Sequence, residues 1–238
     1  MKYAFSKIIF QFSLFYAVMI TTAPVYAQQQ IIHYEHLSVK NGLSSNRVNS
    51  IIQDRQGFYW ISTIDGLNRF DGSAVKIFRH NRNDSASISN NNCTNLLEGN
   101  EGDIWIATTR GVCRYIKKLG KFKNYFFRHP AVNDNLVNSI SGLTKDNKGN
   151  IWVSSYGLWR INPSTDSITG FLYQPVVNKK DPGVPEISGV VYDKINNGLW
   201  AGTARGLIFF DLKTKQYFNH ANNPYQWHDF LSADKHFF

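Results

Sequence analysis

An all-β fold made of four repeated four-stranded sheets is predicted by three features of the sequence. A tryptophan-centred motif recurs, with Trp60, Trp105, Trp152 and Trp200 separated by 45, 47 and 48 residues. Side chains alternate with period two around each tryptophan, Trp60 and Ser62 against Ile61 and Thr63, so that neighbours point to opposite faces of a strand. Two glycines bracket each copy: Gly57, Gly102, Gly149 and Gly198 before the tryptophan, and Gly66, Gly111, Gly157 and Gly206 after it. The first glycine closes a short hairpin loop such as Asp54-Arg55-Gln56-Gly57, and the second turns the chain into the next strand. A period of roughly 40 to 50 residues with four strands each is the blade pattern of a β-propeller.

Taken in order, the chain begins with a segment of targeting character at residues 1–27. Lys2 and Lys7 form a positive start, Ile8 to Ile20 is apolar apart from Gln11 and Ser13, and Val25-Tyr26-Ala27 offers a cleavage site before Gln28. A cleaved signal peptide is expected in preference to a membrane anchor, because the run falls short of the about 20 apolar residues a span needs. No later stretch is long and apolar enough to span a bilayer. Residues 28–45 precede the first blade, and Ile31 to Val39 reads as a strand that would complete the last blade of a closed ring.

Blades are expected at 46–80, 91–127, 136–172 and 186–219. Their first strands are assigned to Val48–Ile52, Thr94–Leu97, Val137–Ile140 and Gly189–Tyr192. Their fourth, aromatic strands are assigned to Val75–Phe78, Phe122–Phe126, Ser167–Phe171 and Gln216–Phe218. The links between blades, such as Asn81–Asn92 and Asn178–Pro185, are rich in Asn, Ser, Asp and Pro and read as surface loops. Residues 220–238 read as the start of a fifth repeat that the sequence does not complete.

Composition narrows the function. The 238 residues are 42% hydrophobic and 15% aromatic, enough for a substantial core in one or two domains. The formal charge of +9 reads first as an ordinary soluble basic surface; attraction of acidic ligands is the second reading. No Lys/Arg run or groove-reading helix accompanies it, so nucleic acid is not an expected partner. Cys93 and Cys113 fall on the first and third strands of one blade, about two strand spacings apart, which disfavours a disulfide. The seven histidines are scattered, and no spacing predicts a metal site, a cofactor or a catalytic residue.

One register stands out as a candidate binding surface. The residue before the second glycine is Asp65, Arg110, Tyr156 and Arg205 in the four copies, a variable position on a constant frame. Arg would grip a carboxylate or sulfate and Tyr would stack on a sugar; the alternative is that these are ordinary turn residues facing water. The four tryptophans are assigned to packing between blades. Thr63, Thr108, Thr203 and Ser154 are expected to bond to backbone within their blades rather than act as nucleophiles.

The pattern Asp/Asn-x-x-Gly-x-x-Trp, hydrophobic, x, Thr/Ser-x-x-Gly-Leu resembles the two-component regulator propeller repeat. The opening His36–Val48, followed by Trp60–Gly72, is similar to the start of the periplasmic sensor region of hybrid two-component systems in Bacteroides-type bacteria. That resemblance implies two seven-bladed propellers followed by a β-sandwich, a transmembrane helix, a histidine kinase, a receiver and a DNA-binding domain. It also implies a homodimeric, inner-membrane-anchored parent that senses oligosaccharides outside the membrane. Four repeats would then be an incomplete part of a seven-bladed propeller, an open arc whose end blades lack neighbours. The expected function is a periplasmic, non-enzymatic sensing module, with the remaining blades and a downstream kinase as partners. A secreted propeller lyase or hydrolase acting on polysaccharides and a protein-interaction propeller are the alternatives.

Overall fold

The computed structural model describes residues 36–129, 132–171, 186–204 and 206–219. The chain divides into two compact units, Met1–His36 and Leu37–Phe238, and every strand among the described residues lies in the second. The expected signal segment, residues 28–35, the tail 220–238 and Arg205 lie outside the described residues.

Four antiparallel sheets follow one another, each with its strands in chain order. The first holds β1 (Val48–Gln53), β2 (Tyr59–Thr63), β3 (Gly66–Phe70) and β4 (Val75–Phe78). The second holds β5 (Cys93–Glu98), β6 (Ile104–Thr108), β7 (Gly111–Ile116) and β8 (Lys121–Tyr125). The third holds β9 (Gly142–Lys145), β10 (Ile151–Ser155), β11 (Gly157–Ile161) and β12 (Ile168–Phe171). The fourth holds β13 (Ile187–Asp193), β14 (Gly198–Thr203), β15 (Gly206–Asp211) and β16 (Tyr217–Phe218). This is the propeller-blade architecture that the repeats predict. The first strands touch in sequence, β1 to β5, β5 to β9 and β9 to β13, so the blades stack side by side.

Trp60, Trp105 and Trp152 fill the spaces between blades, whereas Trp200 is half-buried and meets Phe209 of its own blade at 5.0 Å. Trp60, 1% exposed, packs on Phe78 and on Tyr115 of the next blade, with ring centroids 5.9 and 5.2 Å away. Tyr115 in turn meets Phe122 at 4.9 Å. Trp105 lies 5.3 Å from Tyr125 within the cluster shared with Ile151, Val153 and Trp159 of the third blade. Trp152 contacts Phe171 and Phe210 of the fourth at 5.2 and 6.0 Å. Each aromatic face removed from water adds to the adhesion between neighbours, which is how a repeat array holds together.

Two sequence expectations are corrected. The third blade's first strand is not Val137–Ile140: a short helix, α1 (Asp134–Val137), occupies part of that stretch, and the strand is Gly142–Lys145. Asn133 caps the helix by accepting from the Asn135 N–H at 2.8 Å. Asn138 takes the Phe127 N–H at 2.8 Å and donates to the Phe127 and Asp134 carbonyls at 2.9 and 2.7 Å. These side-chain bonds offer the backbone an alternative to a sheet ladder. The tetrapeptide Val-Asn-Ser-Ile is thus a strand at residue 48 and a helix end at residue 137.

The second correction concerns the expected strand before the first blade. Its described part has no strand; Val39–Asn41 forms a 3-10 turn. Ser38 donates its hydroxyl to Asn41 Oδ1 at 2.8 Å, and Gly42 ends the turn at φ 105°. The segment then docks on the first blade, where the Ser44 N–H reaches Asn68 Oδ1 at 2.8 Å and its hydroxyl meets Thr63 Oγ1 at 2.8 Å. Ser89 repeats this dock on the second blade, on Thr108 at 3.0 Å and on Cys113 Sγ at 3.3 Å. Cys113 therefore serves as an acceptor in the place of Asn68. Both cysteines are free and buried; burial pushes the Cys113 thiol up to about 11 and the Cys93 thiol higher still.

The hairpin glycines Gly57, Gly102 and Gly149 take positive φ as expected, but in the fourth blade Asn197 does so, at φ 49°. Gly198 is needed for another reason: a Cβ there would stand 2.0 Å from the Phe209 ring. At the second turn, Gly111 combines φ 95° with a position where a Cβ would lie 2.5 Å from the Tyr125 carbonyl oxygen. Gly111→Ala is expected to destabilise the chain by about 2 kcal/mol, read as a lower midpoint in urea unfolding. An unchanged midpoint would show that the turn can relax.

Candidate functional site

The two ends of the blades differ in construction. At the end where the second strand turns into the third, a threonine fixes the geometry. Thr63 Oγ1 donates to the Gly66 carbonyl at 3.0 Å and accepts the Asp65 N–H at 3.1 Å. Thr108 does the same for Gly111 and Arg110, both at 2.9 Å, and Thr203 donates to Gly206 at 2.8 Å. Ser154 Oγ lies 3.4 Å from the Gly142 carbonyl. Asp65 and Arg110 are thereby held at the tips of their turns.

The described tips differ in their surroundings. Asp65 pairs with Arg79 at 2.9 Å, both side chains near half exposed, an ion pair worth less than about 1 kcal/mol. Arg110 is exposed. Tyr156 is half-buried, packs on the core beneath blades two and three, and bridges in antiparallel fashion to Glu186. Asp65, Arg110 and Tyr156 line neither of the two clefts described below.

At the opposite end, the first hairpin of blades one, three and four carries an aspartate clamp whose role the repeat pattern did not reveal. Asp54 Oδ1 accepts the Gln56 and Phe58 N–H groups at 2.9 and 3.0 Å. Its Oδ2 accepts Trp60 Nε1 at 2.7 Å and Lys117 Nζ of the next blade at 2.8 Å. Asp146 holds Trp152 Nε1 at 2.9 Å, and Asp193 holds Trp200 Nε1 at 3.1 Å. The second blade has Gly99 at this place. Burial works against the Asp54 charge, but the hydrogen bonds from Lys117 and Trp60 outweigh it and hold the carboxyl below the ordinary 3.8. The signal in the sequence was an aspartate six residues before the tryptophan at 54/60 and 146/152, and seven before at 193/200.

Beside each clamp, the strand register places a third-strand residue opposite the tryptophan: Arg69, Arg114, Arg160 and Phe209. Each arginine faces the cleft at this end of its blade. In the cleft between the second and third blades, about 410 Å³, Arg114 is neutralised, while Lys148 and Arg160 also line it and form no ion pair among the described residues. Arg114 bonds Asp103 at 2.7 Å and Glu101 at 3.1 Å, and reaches across to the Pro163 carbonyl at 2.8 Å. Burial disfavours its charge, yet Asp103 holds the guanidinium protonated above its usual range. Also between these blades, the partly exposed Asp166 accepts from Lys123 at 2.6 Å and from the Tyr125 hydroxyl. The cleft between the first and second blades, about 260 Å³, is lined by Gln56, Phe58, Arg69, Tyr115, Lys117 and Lys118 beside Trp60. Among the described residues, no three His, Cys, Asp or Glu side chains gather as metal ligands. What this end offers chemically is binding through cations, amides and aromatic rings.

A family model for the two component regulator propeller matches residues 42–65, 87–110 and 136–157. Three of the four blades thus contain a segment similar to that repeat. Each match runs from ahead of a blade's first strand to the second-strand turn, ending at Asp65, Arg110 and Gly157. In sequence, the repeats are similar to histidine kinase P4 of Formosa agariphila, 44% identical over 63 residues, or 26% of this chain and 5% of that protein. In structure, they are similar to the extracellular domain of a protein assigned to a hybrid two component system of B. thetaiotaomicron. The identity there is 25% and the TM-score 0.53, over 78% of this chain and 31% of the other. The chain thus spans well under two thirds of both relatives. A virginiamycin B lyase from Staphylococcus aureus shares the propeller fold at TM-score 0.58 and 16% identity, over 77% of this chain and 58% of the lyase.

Proposed function

We propose that the chain is an extracytoplasmic sensing module of a hybrid two-component system, with an oligosaccharide as its ligand. The observation that carries this is the alignment of 78% of the chain with an extracellular domain of such a system. The sequence likeness to a histidine kinase supports the same assignment from a different relative. In this function the propeller binds without turnover, and phosphotransfer belongs to kinase domains elsewhere in the parent protein. The residues 1–27 would deliver the module across the inner membrane; among the described residues no helix is long and apolar enough to cross one. Likeness to the lyase supports the fold alone.

The test is a thermal-shift screen of the full chain against neutral and acidic oligosaccharides, with hits measured by titration calorimetry. At least one oligosaccharide is expected to raise the unfolding midpoint and bind in the micromolar range. A cooperatively unfolding chain that responds to none of them would overturn the proposal.

A further inference from the structure

The cleft between the first two blades lacks the acids that pair with Arg114 in its neighbour. Arg69 and Arg114 occupy the same place, each opposite its blade's tryptophan. Arg114 is satisfied by Asp103 and Glu101, two and four residues before Trp105. Two and four residues before Trp60 stand Phe58 and Gln56. The Arg69 guanidinium instead lies over the Phe58 ring at 4.7 Å. Its Nε is buried with no hydrogen-bond partner, and no carboxylate among the described residues forms an ion pair with it. Asp71 senses the Arg69 charge, but it is held at about 2 chiefly by the Ala74 and Ser73 N–H groups, which occupy its oxygen. From the second blade, Lys117 and Lys118 complete the lining. Lys117 is bound to Asp54, whereas Lys118 is exposed and makes no ion pair among the described residues.

A half-buried guanidinium with an unpartnered N–H is costly unless an acceptor arrives. Planar, forked donors match carboxylate and sulfate oxygens, and an ammonium beside them adds charge without demanding geometry. The Gln56 amide supplies a neutral donor and acceptor for hydroxyl groups, and the Phe58 ring supplies an apolar wall. We infer that this cleft binds the carboxylate or sulfate group of an acidic sugar, with Arg69 as the primary contact and Lys118 and Gln56 beside it. The inference rests on the oligosaccharide-sensing function proposed above and names its ligand class.

Titration calorimetry of the full chain at low salt tests it with three probes: sodium sulfate, a uronic-acid disaccharide and the corresponding neutral disaccharide. The acidic disaccharide is expected to bind about tenfold or more tightly than the neutral one, and to weaken as salt is added. Arg69→Gln is expected to lower its affinity about tenfold. The double variant Gln56→Glu, Phe58→Asp keeps Arg69 but imports the acids of the second blade, and is expected to do the same. Both variants should keep a cooperative unfolding transition, which separates a lost contact from a lost fold. Equal binding of both sugars, unaffected by Arg69→Gln, overturns this site while leaving oligosaccharide sensing in place. Binding of sulfate with neither sugar, or of no probe, overturns this site, and oligosaccharide sensing falls with it when the wider panel also gives no response.

Discussion

Trp60→Ala is expected to destabilise the chain by about 3–5 kcal/mol, the usual cost of emptying a buried tryptophan site. The side chain is 1% exposed and serves two blades at once. Its ring stacks on Phe78 of its own blade and meets Tyr115 of the next, and these two rings contact each other at 5.3 Å. Truncation therefore removes the central member of an aromatic group that also includes Phe122. The surrounding rings belong to two sheets whose backbones are pinned by their own ladders, so little collapse into the space is expected. Trp60→Phe keeps much of the packing and loses the indole N–H to Asp54, a cost of about 1 kcal/mol. Chemical denaturation followed by far-UV circular dichroism measures both. A loss below 1 kcal/mol for Trp60→Ala would mean that the first two blades do not depend on this interface.

The parts of this molecule that the sequence displays are those set by local repetition. Trp60, Trp105 and Trp152, the bracketing glycines and the period-two alternation each depend on a few neighbouring residues, and together they predict four sheets and the faces that pack. The third blade shows where local similarity misleads. Its Val137-Asn-Ser-Ile140 copies Val48-Asn-Ser-Ile51, but Asn133 and Asn138 tie the backbone into a helical turn and delay the strand to Gly142. The clefts were hidden for a different reason. Whether Arg69 is neutralised depends on residues 11 and 13 positions earlier in the hairpin and on Lys117 and Lys118 from another blade. The turn residues Asp65, Arg110 and Tyr156 were legible as a register because each stands one place before a repeated glycine.

Asp54→Ala is expected to cost about 3 kcal/mol, because one carboxylate holds the hairpin, the tryptophan and the neighbouring blade together. The substitution frees the Gln56 and Phe58 N–H groups, leaves Trp60 Nε1 without its acceptor and strands Lys117, whose nearest other carboxylate is Glu98 at 3.8 Å. Removing one member of a buried ion pair is more damaging than removing both, since the desolvation of the survivor is no longer offset. The effect depends on pH with a definite sign. Asp54 has a folded pKa below its ordinary 3.8, so its contribution is fully present above that value and fades as the pH falls through the lower, folded one. The stability gap between wild type and Asp54→Ala should be widest near neutral pH and narrow steadily in acid. Trp60 and Asp54 share a hydrogen bond, so the double variant should be less destabilised than the sum of the two singles. Strict additivity, or a gap that stays constant from neutral pH down to acid unfolding, would place the stabilisation elsewhere than in this clamp.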